Sequence, residues 1–86
     1  MEKINNEERL LMFIKKCMRN HYKPDLHSFC ISTERGSAFV DCAQKRVRID
    51  YCSLNERIHA TNTFDSAEEA AHTLEKLGAR FETIDM

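Results

Sequence analysis

Cysteine and histidine are the side chains of this sequence best suited to metal chemistry, and several of them cluster. Cys17, His21, His27 and Cys30 follow the pattern C-x3-H-x5-H-x2-C, and thiolate and neutral imidazole are preferred zinc ligands. A helix would place Cys17 and His21 on one face. The spacing matches no common zinc motif, however, and Cys17 also fits an apolar helical stripe, where a free cysteine behaves as a small hydrophobic residue. The sequence therefore predicts no metal site.

The segment VDCAQKRVRIDYC, residues 40–52, contains the other two of the four cysteines. Side chains alternate between the two faces of a strand, and the expected strand pairing puts Cys42 and Cys52 on opposite faces. Two such thiols cannot meet without backbone movement. We therefore expect neither a disulfide nor a paired metal motif in this segment.

Nucleophilic catalysis needs a cysteine of lowered pKa and an oriented base. Cys30 or Cys52 could be combined with His59, but no nucleophile elbow, glycine-rich phosphate loop or oxyanion-hole pattern accompanies them. The acidic residues cluster at predicted helix starts, where the helix dipole accounts for them. The sequence predicts a protein that is not an enzyme and that uses no cofactor.

The first element that must position these residues is a helix predicted over residues 6–21. Asn5 and Glu8 have the spacing of a capping box, and Pro24 terminates the helix because the residue before a proline avoids the α region. Residues that recur at steps of three and four mark one helical face: Leu10, Leu11, Ile14, Cys17, Met18 and His21.

The middle of the chain changes to an alternating pattern, which predicts a three-stranded antiparallel meander. A turn at residues 35–36 would pair Ile31 with Val40, and a turn at residues 44–45 would pair Val40 with Ile49. Both turns place the same side chains on one face: Phe29, Ile31, Val40, Cys42, Val47, Ile49 and Tyr51.

Residues 57–64 also alternate, with Ile58 among the apolar positions, and could add a fourth strand. A second helix follows, with Asp65 or Ser66 as its cap and Gly78 just beyond its end. The tail, ARFETID, predicts a short final edge strand. The expected fold is a single α+β domain over residues 1–86, in two layers, with an N-terminal helix, a three- to four-stranded meander, a second helix and a short C-terminal strand.

Composition limits the function. The chain has 86 residues with 13 basic and 14 acidic side chains, giving a net charge of −1, whereas generic nucleic-acid binders carry a basic excess. No segment reads as a signal peptide or reaches the roughly 18 apolar residues of a membrane span. We expect a cytoplasmic protein with reduced thiols and no membrane contact.

The order of predicted elements over residues 6–77 is similar to that of the double-stranded RNA-binding domain. That resemblance implies a lysine cluster at the start of the second helix, where the family grips phosphates. Here the corresponding segment, residues 65–69, reads Asp-Ser-Ala-Glu-Glu, which would repel phosphates. The family's function is therefore not transferred to this chain.

Protein binding is the function that the sequence favours. Phe39 falls among charges on the outward face of the predicted sheet, as interface anchors do, and Asp41 opposite Arg48 would form a cross-strand ion pair. The predicted partner-binding residues are Phe39, Asp41, Arg46, Arg48 and Asp50. We expect a small regulator or inhibitor that docks on a protein through this face and its helix surfaces, as a monomer or homodimer.

The alternative is a nucleic-acid-binding accessory protein. It would use the ribbon from Lys45 to Arg48 together with the cations of the first helix, Lys15, Lys16 and Arg19. Asp41 and Asp50 share the outward face of the sheet with Arg46 and Arg48 and reduce the positive charge of that patch.

Overall fold

The computed structural model describes residues 4–54 and 59–85 of the chain. Two helices and four strands follow the predicted order and form an α+β fold. The bounds are α1 Asn6–Arg19, β1 Ser28–Ser32, β2 Gly36–Cys42, β3 Val47–Ser53, β4 His59–Phe64, α2 Ala67–Lys76 and a 3-10 helix Phe81–Thr83.

Helix α1 begins as the capping pattern predicts. The Asn5 side-chain oxygen accepts from the Glu8 backbone N–H at 2.8 Å, and the Asn5 amide donates to the Glu8 carboxylate at 3.4 Å. The helix ends at Arg19, two residues before the predicted end. Its buried face consists of Leu10, Ile14 and Cys17.

The sheet is an antiparallel meander with strand order β1-β2-β3-β4. Val40 pairs with Ile49 across β2 and β3, so that the register predicted for this hairpin is confirmed. In the first hairpin the prediction is wrong by two residues, since Ile31 pairs with Ala38 and not with Val40. A shift of two preserves the faces because side chains alternate with a period of two.

Gly36 explains the shifted register. It begins β2 opposite Ser53 of β3, and the turn is closed by a bond from the Thr33 N–H to the Gly36 carbonyl at 3.0 Å. A Cβ at Gly36 would lie 1.9 Å from the Cys52 carbonyl oxygen. Close contact with β3 therefore requires glycine at this position, and the turn itself lies one residue earlier than predicted.

Helix α2 starts and ends as predicted. The Ser66 hydroxyl accepts from the Glu69 N–H at 3.1 Å, and Gly78 has a φ of 77° just beyond the C-terminus. Bonds of 3.0 Å run from the Gly78 N–H to the Glu75 carbonyl and from the Ala79 N–H to the Leu74 carbonyl. This pair of bonds is a Schellman motif.

The possible fourth strand is present as β4, from His59 to Phe64; residues 57 and 58 of that prediction lie outside the described residues. The predicted final strand is not formed over residues 81–83, which are a 3-10 helix. Only Asp85 forms a β-bridge, with Cys30 of β1. The helical turn places Phe81 against Phe13 of α1, with ring centroids 5.9 Å apart, and this apolar contact outweighs the weak alternation of the tail.

Both helices cover the same face of the sheet. Their buried side chains form one core with those of the inner sheet face, including Phe29, Val40 and Ile49. Lys15 of α1 and Glu68 of α2 form an ion pair of 3.3 Å between the helices. Among the described residues, neither helix is long and apolar enough to cross a bilayer.

The side chain of Asn6 joins the start of α1 to the chain that leaves α2. Its amide donates to the Ala79 carbonyl at 2.8 Å and also contacts the Glu75 carboxylate. Its side-chain oxygen accepts from the Phe81 N–H at 2.8 Å. One half-buried side chain thus fixes where the 3-10 helix sits against α1.

The tail also closes one edge of the sheet. The N–H and carbonyl of Cys30 exchange bonds of 2.8 Å with the backbone of Asp85. The Ser32 N–H donates to the Thr83 hydroxyl at 3.0 Å, and the Ser32 carbonyl accepts from the Arg80 N–H at 3.4 Å. All four backbone groups that these two residues turn outward therefore have partners.

Candidate protein-binding face

The outer face of the sheet is the surface on which the predicted partner-binding residues lie. Cys30 pairs with Phe39 across β1 and β2, and Phe39 pairs with Asp50 across β2 and β3. In the part of the chain that the structure describes, both helices lie on the opposite face and no element packs here. The exposed side chains of this face are Cys30, Ser32, Ser37, Phe39, Arg48, Cys52, His59, Thr61 and Thr63.

Phe39 lies in the interior strand β2, with a strand on either side. It is 38% exposed, whereas Phe29, on the inner face of the neighbouring strand, is 2% exposed. Its cross-strand neighbours, Cys30 and Asp50, leave a large part of the ring in contact with solvent. An aromatic ring surrounded by small and charged side chains has the composition of an interface anchor.

The charged residues of the face form pairs that differ from the predicted one. Asp41 and Arg48 are cross-strand partners, as expected, but the predicted Asp41–Arg48 ion pair is wrong. The Arg48 guanidinium lies 3.4 Å from the Asp50 carboxylate on its own strand. The Asp41 carboxylate, near the end of β2, lies 2.9 Å from Nδ1 of His27. His27 is the residue immediately before β1. Arg48 is long enough to reach a residue two positions along the same face, and that contact replaces the cross-strand one.

Asp50 has a second partner, since its carboxylate also accepts from the Thr61 hydroxyl of β4. The Asp50 carboxylate therefore contacts both Arg48 and Thr61. Arg46 lies in the exposed turn between β2 and β3 and has no ionic partner within the described ranges. Of the predicted charged residues, Arg46 is the one free to meet a partner.

A cleft of about 430 Å³ opens at the end of this face. The His27–Asp41 pair and the arginines 46 and 48 give it both signs of charge. Its lining consists of His21, His27, Asp41, Cys42, Ala43, Arg46, Arg48 and Thr63. The cleft thus brings together three of the predicted residues, Asp41, Arg46 and Arg48, whereas Phe39 is not part of its lining.

The four residues considered as zinc ligands do not converge. His21 Nδ1 lies 3.0 Å from the Met18 carbonyl oxygen, and His27 faces Asp41. Cys17 is buried in the core, whereas Cys30 is exposed on the outer face. Within residues 4–54 and 59–85, no group of three or more histidine, cysteine or acidic side chains is arranged to hold a metal ion.

Cys17 and Cys42 form a contact that the sequence reasoning missed. Both thiols are buried, at 1% and 3% exposure, and they interact with each other where α1 packs on β2. This interaction and burial together raise the pKa of the Cys42 thiol. The sequence predicted each cysteine on the apolar face of its own element. No spacing pattern, however, shows which residue of a helix packs against which residue of a strand.

The cations of the first helix divide into two groups. Lys15 is engaged by Glu68 of α2, while Lys16 and Arg19 lie on the exposed side of α1 beside Phe13 and Phe81. The sequence reasoning recognised these cations but missed the apolar groove beside them, because one of its walls comes from the distant tail.

Comparison of the chain with protein-family models, with curated protein sequences and with solved structures found no match.

Proposed function

We propose that this chain is a small regulator or inhibitor that acts by docking on a protein partner through the outer face of its sheet. The observation that carries the proposal is Phe39, an aromatic residue 38% exposed at the centre of a face that no described element covers. Aromatic anchors at the centre of an interface supply much of its binding energy. The role needs no catalytic group.

The mechanism is occlusion or tethering of the partner. Phe39 would insert into an apolar pocket, and the charged residues around it would set orientation and exclude wrong partners. Arg48 is paired with Asp50, while Arg46 is unpaired within the described residues and available to an acidic group. These features favour a partner surface with an apolar pocket and a carboxylate near it.

The compartment that fits this proposal is the cytoplasm. The outer face bears two exposed free thiols, Cys30 and Cys52. A reducing compartment keeps such thiols from forming disulfides, so that they would remain part of the docking surface as small, weakly polar side chains.

A nucleic-acid-binding accessory role is the second candidate, and the unpaired Arg46 next to Lys45 favours it. The binding would come mainly from phosphate neutralisation and would weaken steeply with salt. Titration of a fluorescent RNA or DNA duplex at low and at high salt tests this role. Strong, salt-sensitive binding would support it and weaken the protein-docking proposal.

Affinity capture from the cells that produce the chain tests the primary proposal. Wild type, Phe39→Ala and Tyr22→Ala would be compared; Tyr22 is a matched control because it is an aromatic residue, 68% exposed, outside the outer face. All three should show the same circular dichroism. A partner retained by wild type and Tyr22→Ala and lost with Phe39→Ala is the expected result; equal retention by all three contradicts Phe39 as the anchor.

A further inference from the structure

A second exposed apolar surface lies between α1 and the 3-10 helix, away from the outer sheet face. It is a groove of about 350 Å³. Met12 and Ile4 contribute aliphatic surface and are 58% and 45% exposed, and Phe13 and Phe81 contribute their rings. The complete lining is Ile4, Arg9, Met12, Phe13, Lys16, Arg19 and Phe81.

The floor of the groove is formed by an aromatic cluster that is already in place. The Phe13 ring meets Phe29 of the core edge-on, with centroids 4.9 Å apart, and meets Phe81 edge-on at 5.9 Å. The two side-chain bonds of Asn6 to the chain at Ala79 and Phe81 hold the other wall. A partner would therefore meet a preformed surface and would not have to order it, which favours binding.

The rim of the groove is basic. Arg9 lies two turns before Lys16 on α1, and Arg19 lies one turn after it; none of the three has an ion pair with an acid within the described residues. Arg9 lies over the Phe81 ring with its guanidinium carbon 5.9 Å from the centroid. Glu82, next to Phe81, is engaged by Arg80 at 3.4 Å. Glu82 is also near enough to Arg9 for the two charges to attract each other, so that among the described residues the uncompensated positive charge of the rim comes mainly from Lys16 and Arg19.

We propose that this groove binds an acidic amphipathic helix of a partner protein. The apolar face of that helix would cover Met12, Phe13 and Phe81, which is the helix-in-groove mode of recognition. Its flanking carboxylates would meet the rim cations. Arg9 and Lys16 are seven residues apart, a rise of about 10.5 Å along α1, so that acids two turns apart on the bound helix would reach both.

Other occupants fit the groove less well. A nucleic-acid backbone would use the cations and leave the aromatic and aliphatic floor unfilled. A bilayer is met by apolar side chains that project from a surface, whereas Phe13 and Phe81 form a concave floor. The proposal does not depend on Phe39, since the groove and the outer sheet face share no residue.

A titration of the isotopically labelled chain, followed by NMR, tests this assignment. The probe is a synthetic helical peptide with leucines at positions i, i+3, i+4 and i+7 and glutamates on both flanks. Its controls are a peptide of the same composition in scrambled order and one with glutamine in place of glutamate. The expected result is that amide signals of residues 9–19 and 81 shift with the first peptide and much less with either control.

Two matched pairs of variants locate the site. Met12→Glu should weaken peptide binding at least tenfold, and Leu54→Glu, which places the same charge at a site 79% exposed elsewhere, should not. Lys16→Glu should weaken binding severalfold more than Lys45→Glu, which makes the same charge change in the exposed turn after β2. Phe39→Ala should leave peptide binding unchanged. The proposal for the groove and the proposal for the outer sheet face are therefore tested separately.

Several outcomes overturn the assignment. They are equal binding of ordered and scrambled peptides, unchanged affinity in Met12→Glu, and shifts confined to residues outside the groove. Stronger binding to phosphatidylglycerol vesicles or to a nucleic-acid duplex than to the peptide overturns it too. So does self-association of the wild type that Met12→Glu abolishes, because the occupant would then be a second copy.

Discussion

Cys17 of α1 and Cys42 of β2 bring their thiols together at the point where α1 packs on β2, and each thiol affects the pKa of the other. They lie in the same core, 1% and 3% exposed, whereas Cys30 and Cys52 are exposed on the other side of the sheet. The chain therefore has one buried thiol pair and two accessible thiols.

Alkylation should separate these two groups. Iodoacetamide at neutral pH is expected to modify Cys30 and Cys52 in the folded chain, because a thiol must be accessible and ionised to react. Cys17 and Cys42 should react only after denaturation. Mass spectrometry of digested protein, alkylated with and without urea, checks this. Equal labelling of all four cysteines in the folded chain contradicts the burial described here.

The raised pKa of Cys42 predicts how stability depends on pH. An unfolded cysteine ionises near pH 8.5, while the contact with Cys17 and burial keep the folded thiol protonated at higher pH. The folded state then binds the Cys42 proton more tightly, so the stabilising contribution of Cys42 is complete below about pH 8 and decreases as the pH rises further. The same contact lowers the pKa of Cys17, so Cys17 offsets part of this decrease. For one proton the slope approaches about 1.4 kcal/mol per pH unit.

Urea unfolding across that range, in wild type and Cys42→Ser, measures the slope. Serine keeps a hydrogen-bonding group next to Cys17 but does not titrate. The free energy of unfolding should decrease more steeply with pH in the wild type than in the variant. Parallel curves for the two proteins would remove Cys42 as the source of the dependence.

Replacing Gly36 by alanine should damage the sheet. The added Cβ would lie 1.9 Å from the Cys52 carbonyl oxygen, and this clash is with backbone, so β2 and β3 would have to move apart. We expect a loss of about 2 kcal/mol or more, equivalent to a decrease in Tm of roughly 8–16 °C for a chain of this size. Ser37→Ala, at the next and exposed position, is the control and should change Tm little. Thermal unfolding followed by circular dichroism distinguishes the two.

Asn6→Ala should destabilise the junction between α1 and the tail. It removes an acceptor for the Phe81 N–H and a donor for the Ala79 carbonyl, and unsatisfied partly buried groups cost about 1–3 kcal/mol. Hydrogen exchange should become faster at residues 79–85 more than elsewhere. Asn5→Ala removes only the cap of α1, so its effect should stay within the first turn of that helix. Exchange that becomes faster only in the first turn of α1 in both variants would show that Asn6 caps this helix and does not hold the tail.

Sequence patterns were sufficient for the features that depend on nearby residues. The capping of α2 by Ser66 and its end at Gly78 follow from local hydrogen bonding and from the left-handed conformation that glycine tolerates. The inner face of the sheet follows from alternation. The register of the first hairpin was not determined in the same way, because a shift of two residues leaves the alternation unchanged and only the close contact at Gly36 fixes it.

The sequence predicted on which face of the sheet the candidate site lies, but not which of its charged side chains form ion pairs. Alternation places Phe39, Asp41, Arg48 and Asp50 on the outer face, where the structure has them. Which acid Arg48 meets depends on rotamers and on His27, a residue that no strand pattern links to the sheet. The groove beside α1 needs Phe81 from the tail, and such a distant contact leaves no periodic signal in the sequence.

The bonds that the tail makes along β1 limit how copies of this chain could assemble. A sheet with two open edges can add strands without end, and that is how fibrils grow. Here Cys30 and Ser32 have already bonded their outward groups to residues 80–85, and only β4 lacks a neighbour among the described residues. A strand of a second copy would have to displace the tail before it could pair with Cys30 and Ser32, so the tail protects this part of β1 from strand addition.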